Sequence, residues 1–252
     1  MESDSVSFLI EKTANIIRVA NEATLQNKCI EVEARLGNHS SNGFSTENPQ
    51  GVLDKLKSLF INSEVFMGCK RETRVYIRRR YANGYRVTDY YRKNSKGVVD
   101  DTSKKNIELT EYMKKEPMCG HLDIFPTNIS DFEVRLSASV ETSLPLDSPV
   151  MKDIISREAP FHALCQRQTY VFTMEHDITF SLDITKMNVG KTLSVTVDSN
   201  SFYAVELEYK PNSKHIGHEF YIAELYLRII SCLLGTPTGS EYGDLNHMIE
   251  IS

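Results

Sequence analysis

Ile30-Glu31-Val32-Glu33-Ala34-Arg35-Leu36 is the stretch whose reading decides the fold. Its apolar and charged residues alternate without a break, and a strand sends successive side chains to opposite faces. Ile30, Val32, Ala34 and Leu36 therefore share one face, and Glu31, Glu33 and Arg35 the other. The pattern returns near the far end of the chain as Val205-Glu206-Leu207-Glu208-Tyr209-Lys210. Each glutamate pair stands about 7 Å apart along its face, because each strand residue adds a rise of about 3.3 Å. Two such strands side by side bring Glu31, Glu33, Glu206 and Glu208 within reach of one hard cation. Oxygen ligands of this kind suit Mg²⁺ or Mn²⁺.

Between these two strands the alternation persists with the opposite charge. Arg74, Arg78 and Arg80 share a face, as do Arg86 and Thr88. From Asp131 to Glu141 every odd position is polar and every even one apolar; Thr179, Ser181, Asp183 and Thr185 alternate with Ile178, Phe180, Leu182 and Ile184. Arg167 and Lys186 add further cations. Any one of these strands is equally well a half-buried strand with its polar face in water. Together, two acidic strands near the chain ends with basic strands between them are what a barrel with a charged interior requires. Its acids would hold a cation, and that cation with Arg and Lys would neutralise a polyphosphate.

Around these segments, helical spacing of Phe8, Ile16, Val19, Ala20 and Ala23 predicts an amphipathic helix over the first 27 residues, capped by Ser3 or Asp4. Pro49 opens a short helix carrying Val52, Leu53, Leu56, Leu59 and Phe60. Strands are predicted at 29–36, 75–80, 85–91, 107–113, 122–125, 132–141, 169–174, 178–184, 193–197 and 203–209. Asn83-Gly84 is a hairpin signal. A turn and short helix cover 145–156, and a second long helix covers 218–234, stopped at Gly235 and Pro237. The expected architecture is mainly β (α+β): an eight-stranded antiparallel β-barrel tunnel with a charged interior, braced by N- and C-terminal helices. Residues 1–252 read as a single domain, without repeat or linker.

Composition bounds the function. Hydrophobic content of 40% and charged content of 25% are ordinary for a globular protein. Met-Glu-Ser-Asp-Ser is not a secretory signal, and no apolar run reaches membrane-spanning length. The five cysteines are scattered and make no C-x-x-C, so neither a zinc ribbon nor a disulfide framework is indicated, and a reducing compartment is expected. Lys70 to Lys96 holds ten Lys/Arg against two acids, a local +8 inside a chain of net charge -5. On charge alone a local anion site and a solvated basic hairpin stand level. Gly190-Lys191-Thr192 lacks the first glycine of a P-loop, Thr185 standing there, and reads as a hairpin turn. His215 and His218 read as solvated or capping. No G-x-S-x-G or Cys-x5-Arg loop is present.

With these segments in order, the chain resembles the metal-dependent RNA 5′-triphosphatases of mRNA capping, the fungal, protozoan and viral class of the triphosphate tunnel metalloenzymes. Ile30 to Gly37 and Ala204 to Glu208 look like the family's first and last signature strands. Tyr85-Arg-Val-Thr88, Val134 to Glu141 and Leu182-Asp-Ile-Thr-Lys186 look like three strands between them. The resemblance implies an eight-stranded tunnel and metal-dependent hydrolysis of the γ-phosphate of triphosphate-ended RNA, and of free nucleoside triphosphates. It gives metal binding to Glu31, Glu33 and Glu208, with Glu206 at the metal and placing water. Phosphate contacts fall to Arg86 and Arg135, support to Asp183 and Thr185, and further catalytic roles to Lys115, Glu141, Arg167 and Lys186. Two departures stand out: Ala204 replaces an acid of fungal members, and Met113-Lys-Lys-Glu116 leaves Lys114 or Lys115 as the tunnel base.

The implied setting is the nucleus, with pre-mRNA as substrate, a guanylyltransferase as partner, no membrane, and a monomer as the favoured state. Two other readings fit the same charges. One is an inorganic tripolyphosphatase or thiamine-triphosphatase-like tunnel enzyme; the helix ahead of the first acidic strand favours the capping branch. The other is a non-catalytic barrel that binds polyanions.

Overall fold

The computed structural model describes residues 2–41, 43–48, 69–92, 106–124, 133–158, 160–192, 196 and 200–234. Among them the period-two segments form β1 Cys29–Ser40, β2 Gly43–Ser45, β3 Lys70–Arg80, β4 Tyr85–Tyr91 and β5 Ile107–Pro117. Then come β6 Leu122–Ile124, β7 Glu133–Leu144, β8 Phe161–Thr173, β9 Thr179–Gly190 and β10 Ser201–Tyr209. The helices are α1 Glu2–Thr24, α2 Pro149–Arg157 and α3 Glu219–Leu234.

The strands pair antiparallel in the cyclic order β1, β10, β9, β8, β3, β4, β5, β7, and β7 returns to β1. The result is the closed eight-stranded barrel expected from the sequence, with no open edge within the ring. β2 folds back on the end of β1, and β6 lies along Val134 to Leu136 of β7. Gly37 permits the first of these: a Cβ there would stand 2.2 Å from the Ser45 carbonyl oxygen. Asn83 (φ 55°) and Gly84 (φ 77°) both take the left-handed conformation, which is why Asn-Gly closes the β3–β4 hairpin.

The barrel is inside-out relative to a small barrel with an apolar lumen. Val32, Val134, Leu136, Leu182 and Leu207 point away from the axis and are fully buried against α1 and α3. Each such side chain contributes roughly 1.5–3 kcal/mol by leaving water. Ile222, Tyr226, Leu227 and Ile230 of α3, with Leu9, Ala14 and Ile17 of α1, complete that core. The Tyr226 hydroxyl reaches the Leu207 carbonyl (2.5 Å) and the Val32 carbonyl (3.3 Å), tying α3 to both acidic strands from behind.

Several expectations are corrected. α1 stops at Thr24 and presents Leu9, Thr13, Ala14, Ile17 and Asn21 to the core, leaving Phe8 and Val19 exposed. Two buried polar residues in the stripe, Thr13 and Asn21, had hidden its phase. Asn21 Oδ1 accepts from the Tyr209 hydroxyl (2.8 Å), which also meets His215 Nδ1 at 2.8 Å. His215 is therefore a buried strut, neither solvated nor a cap, and burial pushes its pKa down. β8 starts eight residues before its predicted position, through the polar run Gln166-Arg167-Gln168, because that run pairs on both sides, with β3 and β9. Gly190 begins a ten-residue connection between β9 and β10 rather than a tight turn. Of the strand predicted at 193–197 only Thr196 is described, and its N–H bonds the Thr192 carbonyl (2.9 Å) in a helical turn. The helix predicted after Pro49 and the stop at Gly235 and Pro237 lie outside the described residues.

Candidate active site

Because the strands alternate, their polar faces can meet only on the barrel axis. There they line a cavity of about 490 Å³ carrying six cationic and five acidic side chains. The two signs are segregated. β1 and β10 pair with Glu33 opposite Glu208 and Arg35 opposite Glu206, giving an acidic wall. β3, β4 and β8 bring Arg78, Arg80, Arg86 and Arg167 to a basic wall.

On the acidic wall, Arg35 bonds Glu33 Oε1 (2.5 Å) and lies 3.2 Å from Glu206 Oε1. Arg167 bonds Asp183 Oδ2 (2.8 Å) and reaches Glu206 Oε2 at 3.8 Å. Burial works against the Glu206 charge, but Arg35 and Arg167, then Lys115 and Arg78, outweigh it and hold its pKa down to about 2. Glu208 is the opposite case. Burial, and then the Glu31 charge, push its carboxyl up to about 8, and its bonding partner is the Ser181 hydroxyl (3.2 Å). Asp183 is also raised, by burial, despite Arg167 and a 2.5 Å bond from the Thr169 hydroxyl.

The register of β5 decides between the two lysines. Lys115 stands opposite Glu141 and points inward, where it pairs with Glu31 and with Glu33 Oε1 (2.9 Å). Lys114 points outward to Glu116 (2.8 Å). Arg86 bonds Glu141 Oε1 (2.7 Å), while burial and the nearby Arg78 lower its pKa.

Arg78 and Arg80 differ from the other cavity arginines in making no ion pair with an acid among the described residues. Burial lowers the pKa of Arg80, and Arg78 lowers it further. Within the same cavity Arg35 Nε, Tyr76 Oη, Arg78 Nε, Ser139 Oγ, Arg167 Nε and Thr185 Oγ1 are buried without a hydrogen-bond partner among the described residues. Buried polar atoms are nearly always paired, so six such atoms around one cavity mark a place built to receive polar atoms from outside the chain.

Eight of the residues singled out from the sequence line this cavity: Glu31, Glu33, Arg86, Lys115, Glu141, Arg167, Thr185 and Glu206. Asp183 and Glu208 continue the acidic wall one step beyond it, through the pairs Glu206–Asp183 and Glu33–Glu208. Two residues stand elsewhere. Lys186 is exposed on the outer surface, because Asp183 and Thr185 face inward and the next position must face out. Arg135 lies past the cavity, where β6 flanks β7; its guanidinium grips Asp123 at 2.7 and 2.8 Å and sits 4.6 Å over the Phe44 ring. Arg35, Tyr76, Arg78, Arg80 and Tyr90 were not assigned to the site from sequence. The face shared by Arg78 and Arg80 was the available signal.

The carboxylates suit a divalent cation in kind, being all-oxygen donors on adjacent strands, and the uncompensated Glu208 charge is what such an ion would relieve. In this conformation no three acidic or histidine side chains among the described residues gather into a metal-binding group. The Lys115 ammonium lies between Glu31 and Glu33 and supplies the positive charge there.

A closed antiparallel barrel with opposed acidic and basic walls inside and helices outside is the charged β tunnel expected from the sequence. No protein-family model matches the chain, and no curated protein matches it by sequence. Among solved structures, the chain is similar to the Mimivirus capping enzyme triphosphatase, with TM-score 0.54 and 14% identity over 88% of this chain and 97% of that one. A second structure, the RNA triphosphatase domain of the trifunctional mimivirus mRNA capping enzyme, aligns with TM-score 0.48 and 14% identity over 85% and 95%. A putative adenylyl cyclase from Hippeastrum, reported to have a dominant triphosphatase activity, aligns with TM-score 0.28 and 11% identity over 80% and 87%. At these identities the likeness is one of fold.

Proposed function

We propose that the protein is a metal-dependent phosphohydrolase that removes the terminal phosphate from triphosphate-ended RNA, leaving a 5′-diphosphate for guanylylation. The observation that carries this reading is the group of buried donor atoms without hydrogen bonds on the basic wall, Tyr76 Oη, Arg78 Nε and Arg167 Nε, facing carboxylates across one cavity. Donors without partners opposite acids fit a polyphosphate that carries a cation, and they do not fit a neutral ligand. The volume lies in the range of about 300–1,000 Å³ typical of small-ligand sites. It takes in a triphosphate and leaves the RNA body outside.

Glu31, Glu33 and Glu208 would hold a cation, Mg²⁺ or Mn²⁺, once drawn together around it, and the ion would supply Lewis acidity toward a phosphoryl oxygen. The chain's own groups do the rest. Arg78, Arg80 and Arg86 hold the phosphoryl oxygens and oppose charge that grows on them during reaction. Glu206, kept ionised by Arg35 and Arg167, is the carboxylate available to orient a water. Lys115 must leave the Glu31–Glu33 gap for the ion and is then free to meet phosphate.

Phosphate release is to be measured from γ-labelled triphosphate RNA, ATP and tripolyphosphate, each with Mg²⁺, Mn²⁺ or EDTA. Metal-dependent release from RNA is expected. Release from tripolyphosphate alone would favour an inorganic tripolyphosphatase, and tight binding without turnover a non-catalytic polyanion barrel.

A further inference from the structure

Tyr76 sits at the centre of the basic wall, and its hydroxyl has no oxygen or nitrogen partner among the described residues. It is 2% exposed, lines the cavity, and its ring lies under two guanidinium groups, 5.1 Å from Arg78 and 5.6 Å from Arg167. Its hydroxyl is buried without a hydrogen bond. The register partner across β3–β8, Cys165, is close enough for the hydroxyl to act on its thiol and lower the thiol's pKa, but sulfur is a weak acceptor and the thiol is directed to the Ala163 carbonyl at 3.8 Å. A phenylalanine would give the same ring contacts without burying an unpaired hydroxyl, which costs free energy. The hydroxyl is therefore placed to serve an acceptor from outside the chain.

Arg78 poses the complementary question. It is a half-buried cation with no ion-pair partner among the described residues, close enough to Arg80 and Arg86 to lower the pKa of both. An aromatic face attracts a guanidinium through its quadrupole and fixes its plane without cancelling its charge. A carboxylate in the same place would neutralise Arg78 and compete with an anion. Burial raises the Tyr76 pKa, so near neutral pH the phenol keeps its proton and can donate.

We propose that Tyr76 is a positioning and substrate-contacting residue of the basic wall. Its ring holds Arg78 and Arg167 apart with their charges uncancelled, and its hydroxyl donates to an oxygen of the bound polyphosphate. This rests on the reading of the cavity as a polyphosphate site and adds the device that keeps two like charges ready for it.

The test pairs Tyr76→Phe with Tyr76→Leu and begins with the wild type. Tripolyphosphate binding is followed by calorimetry in EDTA, and turnover of triphosphate RNA is measured with Mn²⁺. If the wild type binds no tripolyphosphate and releases no phosphate, the polyphosphate reading itself falls. If it does both, Tyr76→Phe is expected to keep its melting temperature and to weaken tripolyphosphate binding about 10- to 100-fold, the loss of one hydrogen bond to a charged acceptor. Tyr76→Leu, which also frees the two arginines, is expected to weaken binding further and to lower kcat as well as raise KM. A merely structural tyrosine would lower the melting temperature and leave affinity per folded molecule unchanged. That outcome, or wild-type affinity in Tyr76→Phe, overturns the proposal.

Discussion

Glu208→Gln should make the metal-free protein more stable at pH 8 while abolishing its metal response. The carboxyl titrates near 4.5 when unfolded and near 8 in the fold, because it is buried and faces Glu31. A raised carboxyl pKa means that the native state holds the proton more tightly than the unfolded chain. Its stabilising effect is thus complete below pH 4.5 and is lost as pH climbs toward 8. At about 1.4 kcal/mol per pH unit, the loss across that window is a few kcal/mol at most. Glutamine keeps the shape and the Ser181 bond and cannot ionise. For a chain of this size each kcal/mol is worth roughly 2–4 °C of melting temperature. In EDTA, the wild type should melt several degrees lower at pH 8 than at pH 5, and Glu208→Gln should lose less over that interval. Mn²⁺ at pH 8 should restore the wild type and not the variant. A variant that melts below the wild type at pH 8, or parallel pH profiles, would refute the assignment of Glu208 as an uncompensated acid beside the cation site.

Glu206 carries the opposite sign: its pKa is held down to about 2, so its contribution is present above pH 4.5 and lost as pH falls toward 2. Acid unfolding of Glu206→Gln should accordingly be shallower than wild type between those limits, with a lower starting stability. Arg78→Ala and Arg86→Ala should each reduce phosphate release at least about 100-fold, the scale of removing a fixed donor from developing charge. Lys186→Ala, on the outer surface, should stay within about twofold in the same steady-state assay. Leu207→Ala leaves the tunnel lining alone but opens the core beneath α3, and denaturant titration should read a loss of about 2–5 kcal/mol.

The sequence showed the alternation, and alternation was enough for the barrel: Glu31, Glu33, Glu206 and Arg78 had to face one way once Val32, Val205, Leu207 and Ile77 faced the other. It could not reveal where a strand runs past its neighbours. Arg135 has the inward parity of Ser137 and Ser139, yet β6 replaces β5 at its side and Asp123 captures it. That depends on a short pairing between distant segments, which no local pattern encodes. Lys186 is a different failure, one that parity alone would have prevented, since it follows Thr185 directly. Lys115 shows the limit from a third side. Choosing between it and Lys114 required the β5–β7 register, and that register is set by where Glu141 falls.

The same alternation explains why the helices belong to the site. A barrel that turns its charged faces inward has no apolar lumen to hold it together, so its cohesion must come from the outside. α1 and α3 cover β1, β10, β9 and β7, the strands that carry the acids. The basic strands β3 and β4 are backed by smaller clusters around Tyr81, Val87 and Met151. The acidic wall is therefore the firmly supported one, with Tyr226 bonded behind both of its strands, while on the basic wall Arg86 and Arg167 are held by Glu141 and Asp183 and Arg78 by the Tyr76 ring. A fixed acid frame suits an ion whose ligands must keep their geometry. A guanidinium fixed by an aromatic ring, as Arg78 is, can instead shift slightly to follow phosphoryl oxygens through a reaction. Hydrogen exchange should then protect β1 and β10 more strongly than β3 and β4 in the metal-free protein, and tripolyphosphate should close most of that difference. Equal protection of all four strands without ligand would mean that the two walls are equally rigid, and this division of labour would be wrong.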